Sequence, residues 1–159
     1  MEIKQKMMLD IGCGHNKQPG YIGIDKRAVD GVDIVHDIEE FPWPIKDNSC
    51  AVMVASHLIE HIAPQKQIDF MNEAWRIAIP GGLLIIATPY AGSFGWFQDP
   101  THIASWNEAT PTYFQAGTPL YNVYKPKPWK IEKLAFDYLT SLEVVFKKDD
   151  GDTEKEQQD

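Results

Sequence analysis

The sequence predicts a single α/β domain on a mostly parallel sheet of roughly seven strands, with one antiparallel strand near its end and helical cover trimmed on one side. Three observations carry this. Short apolar runs alternate with turn chemistry, and three of them end in an acid, at Asp10, Asp25 and Asp37. One amphipathic helix pattern lies between two continuous apolar runs, which is the rhythm of parallel strands joined by a crossover. The last apolar segments read as two strands joined by a tight turn.

Along the chain, Met8-Leu9-Asp10-Ile11 is a short strand that runs into the turn Gly12-Cys13-Gly14, and Tyr21-Ile22-Gly23-Ile24-Asp25 is the second strand. Val32 to Asp37 is a third. Phe41-Pro-Trp-Pro44 and Lys46-Asp-Asn-Ser49 are turn-rich. Ala51 to Ser56 is a continuous apolar run, expected to be a strand buried on both faces. Between Pro64 and Ile79 the residues Ile68, Met71, Trp75 and Ala78 or Ile79 recur at helical spacing. Pro64 suits the first turn of that helix, and Pro80-Gly81-Gly82 ends it. Leu83 to Thr88 is a fifth buried strand. Residues 91–128 carry eight aromatics among prolines and glycines, and a long loop of that kind inside a small domain is expected to act as a lid or binding element. Thr110-Pro111 opens a short helix there. Ile131 to Tyr138 and Leu142 to Phe146 form the closing pair.

In an open α/β sheet, ligands bind where the chain leaves the carboxyl ends of the strands. Gly12 and Gly14 let the backbone turn and approach a ligand there without a Cβ in the way. The residues after this turn exclude a dinucleotide. The third glycine position of G-x-G-x-x-G is Lys17, and His15 to Pro19 leave no room for a helix whose amides would hold a diphosphate. The crevice suits a ligand with a ribose and a base but no phosphates. S-adenosylmethionine fits: Asp25, fifteen residues after Asp10, can take both ribose hydroxyls, and Asp10 suits the cationic methionine end.

With 159 residues, 43% of them hydrophobic, the chain can bury one core. The net charge of −8 argues against a nucleic acid as the general partner, since such binding needs clustered Lys and Arg. No apolar run reaches membrane-spanning length, and the N-terminus does not read as a signal peptide. Cys13 and Cys50 make neither a disulfide framework nor zinc spacing, which suggests a reducing cytoplasm. Residues 1–146 are read as the domain. Residues 147–159, with six acids against three lysines, are read as a disordered acidic tail.

Taken in order, Leu9-Asp-Ile-Gly-Cys-Gly14, Gly20-Tyr-Ile-Gly-Ile-Asp25, Val35-His-Asp37, Ser56-His-Leu-Ile-Glu-His61, Glu73-Ala-Trp-Arg76 with Pro80-Gly-Gly82, and the strand from Leu83 to Pro89 resemble the class I S-adenosylmethionine-dependent methyltransferases. The nearest look is to the small-molecule branch with an LEH-type element after strand four. The resemblance covers roughly residues 7–90 and implies a Rossmann-like sheet, S-adenosyl-L-methionine as cofactor and S-adenosyl-L-homocysteine as product. It implies that Asp10, Gly12, Cys13 and Gly14 border the methionine part and that Asp25 binds the ribose. Lys26 would lie beside the adenosine, Asp37 and Ile38 near the adenine amino group, and Ser56 and His57 on the cofactor floor. The chain departs from the family plan where helices before and after the first strands have no room. That trimming suggests a face for self-association as a homodimer.

The expected activity is methyl transfer to a small molecule, at oxygen, under a lid formed by residues 91–128. A hydroxyl nucleophile needs a base, and His61, His102, Glu60 and Asp99 are the candidates near the crevice. Phe94, Trp96, Phe97 and Trp106 are candidates to line the acceptor pocket. No residue is assigned to a metal; a divalent ion at Glu60 and His61 is a lesser reading, which rests on the similarity of this acid-histidine element to one in quinone-pathway O-methyltransferases. Two alternatives remain: a non-catalytic cofactor-binding or scaffold protein of the same fold, and a metal-dependent hydrolase, because His57-Leu-Ile-Glu60-His61 also matches H-x-x-E-H. A peptidase needs that motif in mid-helix, whereas here it straddles a strand end.

Overall fold

In the computed structural model, residues 6–151 are described, and their seven strands form one sheet in the order β3-β2-β1-β4-β5-β7-β6. The strands are β1 (Met7–Ile11), β2 (Ile22–Asp25), β3 (Ile34–Val35), β4 (Cys50–Ser56), β5 (Ala78–Pro89), β6 (Trp129–Phe136) and β7 (Ser141–Lys148). Pairing is parallel from β3 through to β5, and β7 runs antiparallel to both β5 and β6. The single reversed strand lies where the sequence places it. No helix among the described residues separates β1 from β2 or β2 from β3.

The longest helix among the described residues, α1 (Gln67–Ile77), connects β4 to β5 after two short 3-10 turns at Ile59–His61 and Pro64–Lys66. Its buried face is Phe70, Met71, Ala74 and Ile77. Of the predicted Ile68, Met71, Trp75 and Ala78 or Ile79, Met71 is buried on the helix and Ala78 is buried as the first residue of β5, while Ile68 and Trp75 are half-buried. Trp75 sits at the margin, where its indole donates to the Pro128 carbonyl at 2.8 Å and its ring lies under the Lys148 ammonium at 3.8 Å. Pro80-Gly81-Gly82 does not separate helix from strand. It is absorbed as a bulge in β5, which pairs Ala78 with Cys50 and then resumes with Leu83 opposite Val52.

The strands β4 and β5 are buried on one face only, which corrects the expectation of burial on both. Leu9, Ile11, Met53, Ala55, Leu84, Ile86, Val144 and Phe146 face α1 and the aromatic core and are fully buried. On the other face Met8, Val52, Val54, Leu83, Ile85 and Val145 form a register-matched apolar strip that is only half-buried. The cause is the trimming: the crossover helices that would cover that face are absent from the described residues.

The segment 91–128 is partly core. Trp106 is buried, stacks on Phe114 at 5.7 Å and donates its indole N–H to Gln67 Oε1 at 2.9 Å. It therefore does not line an acceptor pocket. Phe94 and Phe97, 78% and 69% exposed, point to solvent. A 3-10 turn opens at Thr110-Pro111, where a helix start was expected. The strand β7 runs two residues past the predicted boundary at Phe146: Lys148 is buried and donates to Asn48 Oδ1 and to the Ala78 carbonyl, both at 2.8 Å. The rest of the predicted acidic tail, from residue 152, lies outside the described residues. Both cysteines are free and buried.

Candidate functional site

The strand order reverses between β1 and β4, and the crevice of an open sheet forms at that point. A cavity of about 520 Å³ opens there. Gly12 from the turn after β1, Asp25 at the end of β2, Asp37 and Ile38 after β3, and His57, Leu58 and His61 after β4 line it. Thr101 closes its far end from the long loop. Gly12 and Gly14 have φ of +69° and +50°, the left-handed region that the turn requires. A Cβ on Gly12 would come within 2.6 Å of Leu58 Cδ1, so the turn is fitted against a residue of the cavity wall.

Asp25 is almost wholly buried, and its carboxylate is well supplied with donors. Oδ2 accepts from the Gly14 amide at 2.9 Å, and Oδ1 accepts from the Arg27 amide at 2.8 Å and from Arg27 Nε at 3.2 Å. Burial alone raises its pKa, but the Arg27 guanidinium and amide together with the Gly14 amide outweigh burial and hold it below the ordinary carboxylate range. The group is therefore anionic at neutral pH and faces the cavity. Asp10 behaves in the opposite way: burial raises its pKa despite the Gln18 amide at 2.8 Å and the nearby Lys17. After β3, Asp37 Oδ1 accepts from the Glu39 amide at 3.0 Å, and the buried Ile38 gives that part of the wall an apolar surface.

S-adenosylmethionine fits these residues. Asp25 offers anionic acceptors to a pair of ribose hydroxyls, Ile38 offers an apolar wall, and the glycine turn brings backbone close. No helix lies between the glycine turn and β2, so no helix N-terminus presents its amides there to a diphosphate.

Behind the far wall lies a second group. Glu60 and His61 sit in the 3-10 turn Ile59–His61, and Asp99 and His102 lie on the long loop. The amides of Ile103 and Ala104 donate to the Glu60 carbonyl at 2.9 and 3.1 Å, which pins that loop to the turn. The rings of His61 and His102 are 4.8 Å apart. The Thr101 hydroxyl donates to Asp99 Oδ1 at 2.7 Å and holds the Asp99 carboxyl below its ordinary range. His57 takes φ of +51° and Ile59–His61 is only three residues long, so His57-Leu-Ile-Glu60-His61 has no helical frame for a peptidase.

Of the residues predicted to hold the cofactor, Gly12, Asp25, Lys26, Asp37, Ile38 and His57 line the cavity. Asp10, Cys13, Gly14 and Ser56 stand outside its lining. Gly14 reaches the site through Asp25, and the Cys13 thiol packs against Gly23. Among the predicted catalytic group, only His61 touches the cavity; Glu60, Asp99 and His102 lie behind it. Arg27, Leu58, Glu39, Ile62 and Thr101 also line it, and the sequence reading assigns them no role. Thr101 was within reach, since it stands between the two predicted residues Asp99 and His102. Arg27 carries no motif signal, because its part is to pair with Asp25 two positions earlier.

Comparison with known proteins agrees with this geometry. Residues 25–86 match the family described as "Methyltransferase domain". A probable S-adenosylmethionine-dependent methyltransferase of Mycolicibacterium smegmatis is 29% identical over 125 residues, covering 66% of this chain and 48% of that protein. The chain thus spans about half the length of the curated relative it matches. Among solved structures, a SAM-dependent methyltransferase from Archaeoglobus fulgidus superposes with a TM-score of 0.67 at 19% identity, over 90% of this chain and 86% of that one. A SAM-dependent methyltransferase from Methanosarcina mazei gives 0.62 at 15% identity, over 90% and 92%. The fold is shared throughout.

Proposed function

We propose that this chain, a class I S-adenosylmethionine-dependent methyltransferase, methylates a small-molecule acceptor at a hydroxyl oxygen. One observation carries the reading: a single cavity is lined both by the anionic Asp25 and by His61 with Thr101. When bound, S-adenosylmethionine would supply a methyl group on a sulfonium, leaving S-adenosyl-L-homocysteine. Asp25 would hold the ribose, with Gly12, Lys26, Asp37, Ile38 and His57 around the rest. Catalysis by such a site is chiefly positioning and exclusion of water.

A hydroxyl acceptor must also lose its proton, and in this reading His61, on the cavity wall, takes it. The Thr101 hydroxyl spends its hydrogen on Asp99, so toward His61 Nδ1 at 3.3 Å it acts as acceptor. His61 Nδ1 then carries the ring proton, and Nε2 has a free lone pair. A small acceptor suits a cavity of small-ligand size, and the net charge of −8 disfavours a polyanion. We also propose that the protein works in the cytoplasm as a homodimer paired through the half-buried strip of Val52, Val54, Leu83, Ile85 and Val145.

The test is calorimetric titration with S-adenosylmethionine, together with methyl transfer to a panel of phenols, alcohols and amines read by mass spectrometry. The reading expects binding that Asp25→Ala removes and product from hydroxyl acceptors. Absent binding, with Asp25→Ala indistinguishable from the parent, refutes it. Binding without turnover on any acceptor supports a cofactor-binding scaffold instead.

A further inference from the structure

Glu60 is 1% exposed, and its two oxygens are treated differently. Oε2 accepts from the Thr88 hydroxyl at 3.0 Å, whereas Oε1 is buried with no hydrogen-bond partner among the described residues. A buried carboxylate oxygen without a partner is costly and asks what belongs beside it. His102 Nε2 lies 4.0 Å away and His57 Nδ1 3.5 Å away, and Asp99 Oδ2 is 3.7 Å from His102 Nε2.

The protons on the two loop-facing imidazoles are accounted for elsewhere. His102 Nδ1 is 2.8 Å from the Trp96 carbonyl, which can only accept, so Nδ1 carries the hydrogen and Nε2 presents a lone pair toward Glu60. His61 Nδ1 is committed to Thr101 in the same way. A ring N–H bonded to a carbonyl or hydroxyl, with the other nitrogen aimed inward, is how a histidine metal ligand is oriented by its surroundings. One donor atom each from Glu60, His61 and His102 lies within 4.8 Å of the others. With those tautomers each ring keeps one nitrogen free to ligate, beside the unpartnered Glu60 Oε1.

We infer that Glu60, His61 and His102 form a binding site for a divalent first-row cation, with Asp99 and His57 as flanking ligands. Two imidazoles and a carboxylate are the donor set of zinc and its neighbours rather than of magnesium or calcium. Bonds of ~2.1 Å would bring tetrahedral ligand atoms to ~3.4 Å apart, so loading draws the cluster in by about 1 Å. His61, exposed and at the cavity wall, is the ligand free to move and leaves an open position toward the cavity. A cation there would polarise an acceptor oxygen and take over from His61 the work of favouring its deprotonated form. That catalytic use rests on the methyl-transfer reading; the binding of the metal does not.

The experiment strips the full chain with a chelator and titrates it with Co²⁺, monitored by visible absorption and by competition with Zn²⁺. One Co²⁺ per chain is expected, with bands distinct from those of the aquo ion and displaced by one equivalent of Zn²⁺. His61→Ala, an exposed position whose loss the fold tolerates, should weaken Co²⁺ at least about tenfold, and Glu60→Gln likewise. No bound metal, or equal affinity in both variants and the parent, overturns the inference. So does a ¹⁵N spectrum that shows His102 protonated on both ring nitrogens and unmoved by Zn²⁺. Calorimetry with S-adenosylmethionine on the same stripped protein separates the two readings: cofactor binding without metal binding removes only the metal site, and metal binding without cofactor binding removes only the methyl-transfer reading.

Discussion

Substituting Asp25 by Asn changes one oxygen to NH2 at nearly constant shape, in a setting where both carboxylate oxygens already face donors. Oδ2 faces the Gly14 amide and Oδ1 faces two donors of Arg27. Whichever position the new NH2 takes, it meets a donor, so one backbone N–H is left unpaired at a cost of about 1–3 kcal/mol. At about 2–4 °C per kcal/mol for a chain of this size, the apparent Tm should fall by about 2–12 °C. Binding should fall further. A hydrogen bond from a ribose hydroxyl to a charged acceptor is worth about 1.5–3 kcal/mol, and Asn keeps at most one of the two, at neutral strength. The loss of about 2–4 kcal/mol corresponds to roughly 30- to 1,000-fold weaker S-adenosylmethionine binding. Calorimetric titration and thermal unfolding of the same preparation measure both. A variant that shows the Tm loss yet binds within threefold of the parent refutes the assignment, because the carboxylate would then have been altered without the ligand sensing it. Arg27→Ala is the companion test. Its guanidinium is exposed and competes for the same oxygens, so removing it should tighten binding by no more than about fivefold.

Gly12→Ala puts a Cβ 2.6 Å from Leu58 at φ +69°, so it should lose about 1–2 kcal/mol in denaturant unfolding and weaken S-adenosylmethionine as Leu58 is pushed toward the cavity. Asp10→Asn keeps an acceptor for Gln18 and removes a carboxylate whose folded pKa is raised. Such a group favours folding below its ordinary value of 3.8 and loses that contribution as pH rises through its folded value. The variant should therefore melt above the parent at pH 7, a difference that vanishes below pH 3.8 in unfolding series. His61→Ala in metal-free protein should lower kcat about 10²- to 10⁴-fold on a hydroxyl acceptor with the Kd for S-adenosylmethionine little changed; a fall confined to KM refutes the base. Ile85→Lys, in the middle of the open strip, should convert a dimer to a monomer in light scattering, and a monomeric parent chain refutes the pairing.

The features legible in the sequence are those that local chemistry fixes. The Gly12 and Gly14 turn, Asp10 and Asp25 near their strand ends and the reversed last strand are encoded within a few residues of where they act and stand where expected. The third strand differs: β3 is only Ile34–Val35 instead of Val32 to Asp37 and leaves Asp37 two residues beyond it. The missing crossover helices were also readable, since ten residues between Ile11 and Ile22 cannot hold one. Burial on the two faces of β4 and β5 was not. A run such as Val52-Met53-Val54 looks the same whether its second face is covered or open, because valine tolerates both and only the neighbouring elements decide. Trp106 was misplaced for a similar reason: an aromatic in a loop carries no signal of whether it turns outward or finds a partner such as Gln67. The Arg27 contact and the empty side of Glu60 depend on distances between segments, which no spacing rule supplies.

The open face and the candidate site are connected by one physical fact. In a dinucleotide fold the helix after the first glycine turn has two duties, covering the sheet and presenting its N-terminal amides to a diphosphate. Here the cavity lining comes from strand ends and from the turns after β1, β2, β3 and β4, together with Thr101 on the loop after β5. A cofactor with no phosphates needs none of those amides. Losing the helix therefore costs burial on the far face, where Val52, Val54 and Ile85 are left half-covered, and leaves Asp25 with its Gly14 and Arg27 donors in place. The two consequences are separable by substitution: changes on the strip should move oligomeric state and stability, and changes around Asp25 should move the ligand.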